Sequence, residues 1–197
     1  DEKIHKVQMA PDQLKYYKFA EGKIPWHIKI KIRHGLPLDK KESAQLNAFS
    51  SAVRQISNTH ASFTQAPEKV IGSPKFQKMY EHSLKKRNEI GKDYRNVVYS
   101  NYLGSGLEHY SRLLNEQGVK HEVFHGGLTK KEKEQIKEDF NNGKFDTLLL
   151  SSSGAEGLNL KGVRHVQVME PHFNHSKIRQ VIARGVRRGS HEHLDEK

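Results

Sequence analysis

The chain has 197 residues, of which 34% are hydrophobic and 29% are charged, and its formal net charge is +11. The length suits one domain, or one domain with an appendage, and the charge favours a polyanionic partner, nucleic acid before a membrane surface. The absence of cysteine excludes a disulfide framework and a zinc site with thiolate ligands. No apolar run approaches the ~20 residues that span a bilayer. Because the chain begins with Asp1 rather than Met, we expect a fragment of a longer protein.

Residues 1–72 are predicted to form a mainly helical appendage. Helical patterns cover Pro11–Ala20 and Lys40–Thr59. Between them, the segment Trp26–Arg33 alternates strictly, with isoleucines on one side and basic residues on the other. This alternation predicts a half-buried strand with a basic open face. That face would either contact a phosphate backbone or protect a sheet edge from aggregation. Of these two roles, protection of an edge is the more common one.

Residues 73–197 are predicted to form a domain in which strands alternate with helices. Helices are expected to begin near Ser73, at the capping boxes Ser105-x-x-Glu108 and Thr129-x-x-Glu132, and near Ser176. The alternation predicts an α/β three-layer sandwich with a mostly parallel sheet. The predicted strands are Asn96–Ser100, Val119–Phe124, Thr147–Leu150 and His165–Met169.

Glycine and polar residues collect directly after these strands. In open parallel sheets, ligands bind at the carboxyl ends of the strands, so this is where a site is expected. The loops concerned are 100–105, 125–128, 151–159 and 171–175.

The last predicted helix, Ser176–Arg188, carries a polar stripe. A period of 3.6 residues places Gln180, Arg184 and Arg187 within one narrow arc, opposite the apolar residues that would pack on the sheet. The guanidinium fork matches phosphate geometry better than the point charge of lysine does. The stripe therefore favours a phosphate-binding surface over a merely solvated face.

These segments together resemble the C-terminal, RecA-like lobe of superfamily-two helicases, which has a P-loop NTPase fold, and most closely the Swi/Snf-type DNA translocases and their viral and phage relatives. The resemblance covers most of the chain and is best over 73–191. It rests on the order and spacing of several motifs: Ser73-Pro-Lys75, Asn96–Ser100, Phe124-His-Gly-Gly127, Phe140-Asn141, Ser151–Leu160, Met169–Asn174, and the pattern Gln180, Arg184, Arg187 and Gly189. On this resemblance, the lobe spans residues 73–197 and is truncated at its C-terminus.

The resemblance implies that ATP lies between this lobe and an absent N-terminal lobe, which holds most of the ATP and the Mg²⁺. Arg187 is then expected to reach the γ-phosphate as an arginine finger, with Arg184 as its partner and Gln180 assisting. Such a finger can contribute ~10³–10⁵ in rate. Gly157 and Asn159 are expected near the nucleotide.

The resemblance also implies contacts to a nucleic-acid backbone, with DNA as the expected polymer. The residues expected to make these contacts are Ser100, Asn101, Gly126, Gly127 and Ser151. The parent protein would be an ATP-hydrolysing helicase or translocase inside the cell, either in the cytoplasm of a bacterium or virus-infected cell or in a nucleus. The isolated chain is expected to be a monomer without membrane attachment and to hydrolyse essentially no ATP.

Two other interpretations use the same residues. The chain could be a stand-alone nucleic-acid-binding or interaction module on the same fold, without motor activity. A metal site is suggested by the spacing of His172-x-x-His175 and His191-x-His193. The lack of cysteine and the loose geometry of these pairs argue against the metal site.

Overall fold

The computed structural model describes residues 3–60, 73–155 and 158–170. The chain forms two compact units, Asp1–Lys75 and Phe76–Lys197. In the described residues the first unit consists of helices and the second is built on a parallel β-sheet. We call them the helical unit and the sheet unit.

The helical unit contains α1 (Pro11–Gly22), α2 (Trp26–Arg33) and α3 (Lys40–Asn58). A capping box starts α3: the Asp39 side chain accepts from the Glu42 N–H at 2.8 Å, and the Glu42 carboxylate accepts from the Asp39 N–H at 2.9 Å. At the other end of α3, the buried Gln13 of α1 donates to the carbonyl oxygens of Ile56 and Ser57. This amide satisfies carbonyl groups that the last turn of a helix leaves unpaired.

The segment Trp26–Arg33 is an α-helix, so the predicted strand with a basic open face was wrong. A strand needs a neighbouring strand for its N–H and C=O groups, and residues 3–60 contain none. A helix satisfies those groups within the segment itself. The helix separates the three isoleucines, because Ile28 is fully buried whereas Ile30 and Ile32 remain 40% and 51% exposed.

The sheet unit confirms the predicted α/β class. Its strands are parallel, and α5 (His109–Glu116) and α6 (Lys130–Asn141) lie between successive strands in sequence, as crossover connections require. Two short irregular helical segments, Gly91–Asp93 and Leu103–Glu108, supplement the regular elements. The regular elements are α4 (Pro74–Ile90), β1 (Asn96–Ser100), α5 (His109–Glu116), β2 (His121–Phe124), α6 (Lys130–Asn141), β3 (Thr147–Ser151) and β4 (His165–Val168).

The sheet has the strand order β2-β3-β1-β4, so the two central strands, β3 and β1, are buried at every position. On one face, Val97 and Leu148 belong to a core cluster with Phe140 of α6. On the other face, Asn96 bonds to Ser83 of α4 at 3.1 Å. Helices therefore cover both faces, which is the expected three-layer arrangement.

The predicted capping box at Ser105 and Glu108 was wrong. The chain enters a π-helix at Leu103, which continues directly into α5, and the Leu107 N–H donates to the Tyr102 carbonyl at 3.1 Å. Ser105 is buried inside this wide turn and does not cap a helix. The second predicted capping box, at Thr129, is confirmed by reciprocal bonds between Thr129 and Glu132.

A polar network lies at the amino-terminal edge of the sheet. The Tyr94 hydroxyl bonds to Ser83 Oγ at 2.8 Å and to His165 Nδ1 at 3.1 Å, and Asn96 donates to Gln167 at 3.0 Å. Burial raises the pKa of Tyr94 to about 12. Burial, followed by the charges of His82 and Lys86, lowers the pKa of His165 to about 4. The network thus joins α4 to the strands through neutral groups near neutral pH.

Candidate functional site at the carboxyl edge of the sheet

The carboxyl ends of the four parallel strands lie at one edge of the sheet unit, where the loops after β1, β2 and β3 meet the first two residues after β4. Hydrogen bonds join these loops, although they are far apart in the sequence. The Ser152 N–H after β3 donates to the Ser100 carbonyl at the end of β1 at 3.2 Å, and the Met169 N–H after β4 donates to the Tyr99 carbonyl at 2.9 Å. The edge is therefore a connected surface built from separate loops.

Glu170 follows β4, an outer strand of the sheet, and is almost completely buried, with 1% exposure. Its carboxylate accepts from the Ser100 hydroxyl at 2.5 Å and from the Asn101 N–H at 3.0 Å. Burial, and secondarily the charge of Glu170, raises the pKa of Tyr99, whose hydroxyl donates to the Asn101 side chain at 3.4 Å. Charge-assisted bonds of this kind are shorter and stronger than neutral ones, so Glu170 holds the loop after β1 in place.

Serine hydroxyls join the loops that follow β2 and β3. The buried Ser151 lies 3.0 Å from Ser153 Oγ and accepts from the Gly154 N–H at 3.2 Å. Ser153, which is exposed, accepts in turn from the Gly126 N–H at 3.1 Å. The exposed Ser153 hydroxyl thus links the loop after β3 to the loop after β2, and the buried Ser151 hydroxyl lies beside it.

Two glycines at this edge permit the close approach of the loops. A Cβ on Gly126 would lie 2.9 Å from Ser153 Oγ. A Cβ on Gly154 would lie 2.8 Å from the Phe124 ring and 3.0 Å from the Phe124 carbonyl oxygen. Because one of these obstacles is backbone, a larger residue at position 154 would push the β2 and β3 loops apart.

The loop after β2 leads into the amino terminus of α6, which is rich in lysine. Gly126 and Gly127 are exposed, and their N–H groups donate to Ser153 Oγ at 3.1 Å and to His125 Nδ1 at 3.2 Å. Lys133 donates to the Gly126 carbonyl at 3.1 Å.

The side-chain and backbone hydrogen bonds from Thr129 hold the pKa of Glu132 below its usual value. Lys130 and Lys131 occupy the exposed first turn.

Asn159 lies in an exposed loop beside the carboxyl end of α6. Its carbonyl oxygen accepts from the Asn141 side chain at 3.4 Å, and the same Asn141 side chain accepts from the Lys161 N–H at 2.8 Å. The amide of Asn141 therefore fixes the backbone around Asn159 from the end of α6. Gly157, the other residue expected near the nucleotide, lies outside the described residues.

The residues that were predicted to contact nucleic acid lie at the same edge of the sheet, but they differ in how exposed they are. Gly126 and Gly127 are exposed and Asn101 is partly exposed, whereas the side chains of Ser100 and Ser151 are buried. The predicted catalytic residues Gln180, Arg184 and Arg187 lie outside the described residues, as do the histidine pairs His172/His175 and His191/His193.

Sequence reasoning missed Glu170 and Ser153 as site residues. A signal for Glu170 was present, since it occupies the acidic position in the stretch 169–174 that resembles a helicase motif and directly follows a predicted strand. Ser153 gave no comparable signal, because its partner Gly126 is 27 residues away.

No helix within residues 3–60, 73–155 and 158–170 is long and apolar enough to cross a membrane. The same residues contain no group of three or more His, Asp or Glu side chains arranged to hold a metal ion.

A parallel sheet with crossover helices and polar glycine loops at its carboxyl edge is the arrangement expected of a RecA-like lobe. The family model of the helicase conserved C-terminal domain matches residues 74–189, so the chain belongs to that family. This match confirms the sequence-based identification of the second lobe of a superfamily-two helicase.

The comparisons with individual proteins agree with the family. The chain is 34% identical over 185 residues to a protein of Acanthamoeba polyphaga mimivirus whose name calls it an ATP-dependent RNA helicase. The matched region covers 91% of this chain but 38% of that relative, so the chain spans about two fifths of the relative's length.

Two solved structures have the same fold. The C-terminal part of the Fun30 ATPase domain matches with a TM-score of 0.67 and 17% identity, over 95% of this chain and 80% of that one. The SWI2/SNF2 ATPase C-terminal domain of Sulfolobus solfataricus matches with a TM-score of 0.68 and 18% identity, over 83% of this chain and 69% of that one.

Proposed function

We propose that this chain is the C-terminal motor lobe of an ATP-dependent helicase or translocase that moves along DNA inside the cell. In this proposal a first lobe of the same parent protein binds ATP, and the present lobe closes on that ATP while holding the nucleic-acid backbone. The observation that carries the proposal is the connected carboxyl edge of the sheet, in a chain that matches the helicase C-terminal family over residues 74–189.

The backbone contacts are assigned to the surface that includes Gly126, Gly127, Asn101 and the first turn of α6. The N–H groups of Gly126 and Gly127 are held by side-chain acceptors at 3.1 and 3.2 Å, which phosphate oxygens could replace. The exposed Lys130 and Lys131 add positive charge beside them. Contacts of this kind bind phosphate without reading base sequence, as a translocating motor requires.

Ser100 and Ser151 are assigned a positioning role in place of direct contact. The Ser100 hydroxyl is buried and donates to Glu170, so it orients the loop that presents Asn101. The Ser151 hydroxyl is likewise buried and supports Ser153, which is exposed and can reach a phosphate oxygen itself.

The catalytic assignment comes from the family resemblance. Gln180, Arg184 and Arg187 would face the triphosphate, with Gly157 and Asn159 nearby, and the first lobe would hold most of the ATP and the Mg²⁺. When bound, Mg²⁺ neutralises charge on the phosphate oxygens. The guanidinium groups would stabilise the charge that develops on the transferring phosphoryl group.

An assay of ATP turnover tests the motor assignment. In the intact parent protein, Arg187→Ala is expected to lower DNA-stimulated ATP turnover by ~10³–10⁵, because the finger acts in the transition state. DNA affinity, measured in parallel, should stay within about twofold, because the finger faces ATP. Equal loss of turnover and DNA affinity would show that this helix binds DNA instead.

The isolated chain should hydrolyse essentially no ATP, and robust turnover by the pure chain would contradict the proposal.

A binding measurement tests the DNA surface. Changing Lys130 and Lys131 together to Gln should weaken DNA binding and reduce the slope of log affinity against log salt by about 1.4–1.8, or ~0.7–0.9 for each phosphate that is no longer neutralised. The matched control changes Lys40 and Lys41, which are exposed in the first turn of α3, to Gln. If the two pairs of substitutions weakened DNA binding equally, the binding would be a general charge attraction and not a contact at the first turn of α6.

The choice of DNA follows the resemblance to Swi/Snf-type translocases, while the mimivirus relative is named as an RNA helicase. Stimulation of the parent's ATP turnover by duplex DNA, single-stranded DNA and single-stranded RNA distinguishes the two polymers. If no nucleic acid stimulates turnover, the alternative of a nucleic-acid-binding or interaction module without motor activity is favoured.

A further inference from the structure

Helix α2 of the helical unit has one face that is anchored. Ile28 is fully buried, and Lys31 donates to both carboxylate oxygens of Glu42 at 2.7 Å. His27 lies 3.8 Å from the same carboxylate. Since Glu42 also closes the capping box of α3, this face is held at the start of that helix. The orientation of the opposite face is thereby set.

The opposite face combines an aromatic ring with two positive charges. Trp26, Lys29, Ile30 and Arg33 follow the spacing i, i+3, i+4, i+7, which places them on one side of a helix, and all four are exposed. Trp26 has 72% of its surface exposed and is the single tryptophan of the chain. Within the described parts of the chain, Lys29 and Arg33 have no ion-pair partner.

A second aromatic ring with a nearby cation precedes this helix. Phe19 of α1 is 65% exposed, and the Lys23 ammonium lies 4.8 Å from the centroid of its ring. Exposed rings interleaved with basic residues are unusual on a surface that only contacts water, because each ring leaves a large apolar area in solvent. They are typical of surfaces on which bases stack while cations bind the phosphates.

We propose that the exposed face of α2 binds single-stranded nucleic acid, with Trp26 stacked on a base and Lys29 and Arg33 bound to phosphates. Charge complementarity selects this occupant, since the face carries two cations and no acidic residue and the chain has a net charge of +11. The surface lies outside the region matched by the helicase family model, which begins at residue 74. It is therefore a proposed binding surface of the helical unit, formed by other residues than the carboxyl edge of the sheet unit.

The single tryptophan allows a direct test on the 197-residue chain. Titration with a twenty-nucleotide oligo-dT at low salt should quench the fluorescence of Trp26 in a saturable manner, because stacking on a base quenches the indole. An oligo-U of the same length tests RNA in the same way.

Changing Lys29 and Arg33 together to Glu should weaken the binding that causes the quenching by at least about tenfold. The slope of log affinity against log salt should fall by about 1.4, or ~0.7 for each single-strand phosphate that is no longer neutralised.

The matched control reverses two other exposed charges of the same unit, with Lys40→Glu and Lys41→Glu in the first turn of α3. This control should keep the quenching of the unchanged chain to within about twofold. The proposal is overturned if neither oligonucleotide quenches Trp26, or if the two pairs of substitutions weaken binding equally. It is also overturned if vesicles of phosphatidylserine and phosphatidylcholine change the emission and the oligonucleotides do not, since the face would then be a membrane surface.

A second measurement avoids dependence on Trp26 emission. With a fluorescein-labelled oligo-dT, binding is followed by anisotropy, and Trp26→Ala is expected to lower the affinity by about 5- to 150-fold, the range measured for removal of a base stack. Trp26→Phe keeps a ring and should restore most of that affinity. Circular dichroism confirms that each variant retains its helices. Equal affinity of the Ala and Phe variants would show that no base stacks at this position.

Discussion

The sheet unit and the helical unit differ in how their apolar residues relate to structure. In the sheet unit, Asn96–Ser100 and Thr147–Ser151 are buried at every position and pair with each other in parallel register. In the helical unit, Trp26–Arg33 has the alternating pattern of a strand but forms a helix that buries Ile28 alone of its three isoleucines. A short apolar segment between two helices predicts a central strand of a parallel sheet directly. An alternating segment predicts a strand only if a second strand is available to pair with it.

The largest stability effect should come from the centre of the sheet. Leu149 is fully buried on β3, which lies between β2 and β1, so Leu149→Ala removes a side chain that the core cannot easily replace. We expect the free energy of unfolding to fall by about 2–5 kcal/mol in urea denaturation. Leu84→Ala on α4, where the leucine is 40% exposed, is the control and should cost far less. Similar losses for the two variants would contradict the assignment of β3 as a core strand.

A smaller effect is expected at the carboxyl edge. Glu170→Ala removes the acceptor of the Asn101 N–H and leaves the Ser100 hydroxyl with the Tyr102 carbonyl, at 3.2 Å, as its acceptor. An unsatisfied buried donor costs about 1–3 kcal/mol. Glu170→Gln should be milder, because the amide can accept from one donor and donate to the Ser100 oxygen. Thermal unfolding of both variants measures the difference. An unchanged stability for the Ala variant would show that Glu170 does not organise the edge.

The helical assignment of Trp26–Arg33 can be tested with three equivalent substitutions. Ile28→Val should cost about 0.5–1.5 kcal/mol, because the residue is fully buried. Ile30→Val and Ile32→Val should change the free energy of unfolding by much less, because both side chains remain exposed. A strand would bury all three isoleucines together, so three equal losses in urea denaturation would restore the strand interpretation.

The smallest effect concerns pH and the amino-terminal edge. The pKa of His165 is about 4 in the folded chain, below its ordinary value of 6.5, so the unfolded chain binds the proton more readily between these pH values. The contribution of His165 to stability is therefore complete above pH 6.5 and is lost as the pH falls towards 4. We expect His165→Gln to reduce the difference between the unfolding free energies at pH 7 and pH 5. The same difference in both proteins would contradict this role.

Much of the sheet unit could be predicted because its signals are local. Thr129 and Glu132, which form the capping box of α6, lie three residues apart, so the sequence contains both partners. The predicted start of the second strand, Val119, was two residues early. Gly118 adopts a φ of +67°, and the Val119 N–H donates to the Leu114 carbonyl, so Val119 caps the carboxyl end of α5 and does not yet pair in the sheet.

The candidate site was predicted in its position but not in its bonding. Polar loops at the carboxyl ends of strands were expected from the strand–helix alternation, and Gly126 and Gly127 are exposed there as the sequence suggested. The burial of Ser100 was not visible in the sequence, because the hydroxyl is covered and bonded by a residue 70 positions later. Residue type indicated a polar contact without indicating its partner.

From the amino acids alone one can read the α/β class, the central strands and the family of this lobe, because period, capping and motif spacing are properties of neighbouring residues. Tertiary contacts decided that Trp26–Arg33 is a helix and which of its sides meets solvent, since that depends on Glu42 and on the lack of a strand within residues 3–60. They also decided that Glu170 joins the ends of β1 and β4. The physical reason is the same in both cases: hydrogen-bonding groups must be satisfied, and when the partner is remote in sequence only the fold identifies it.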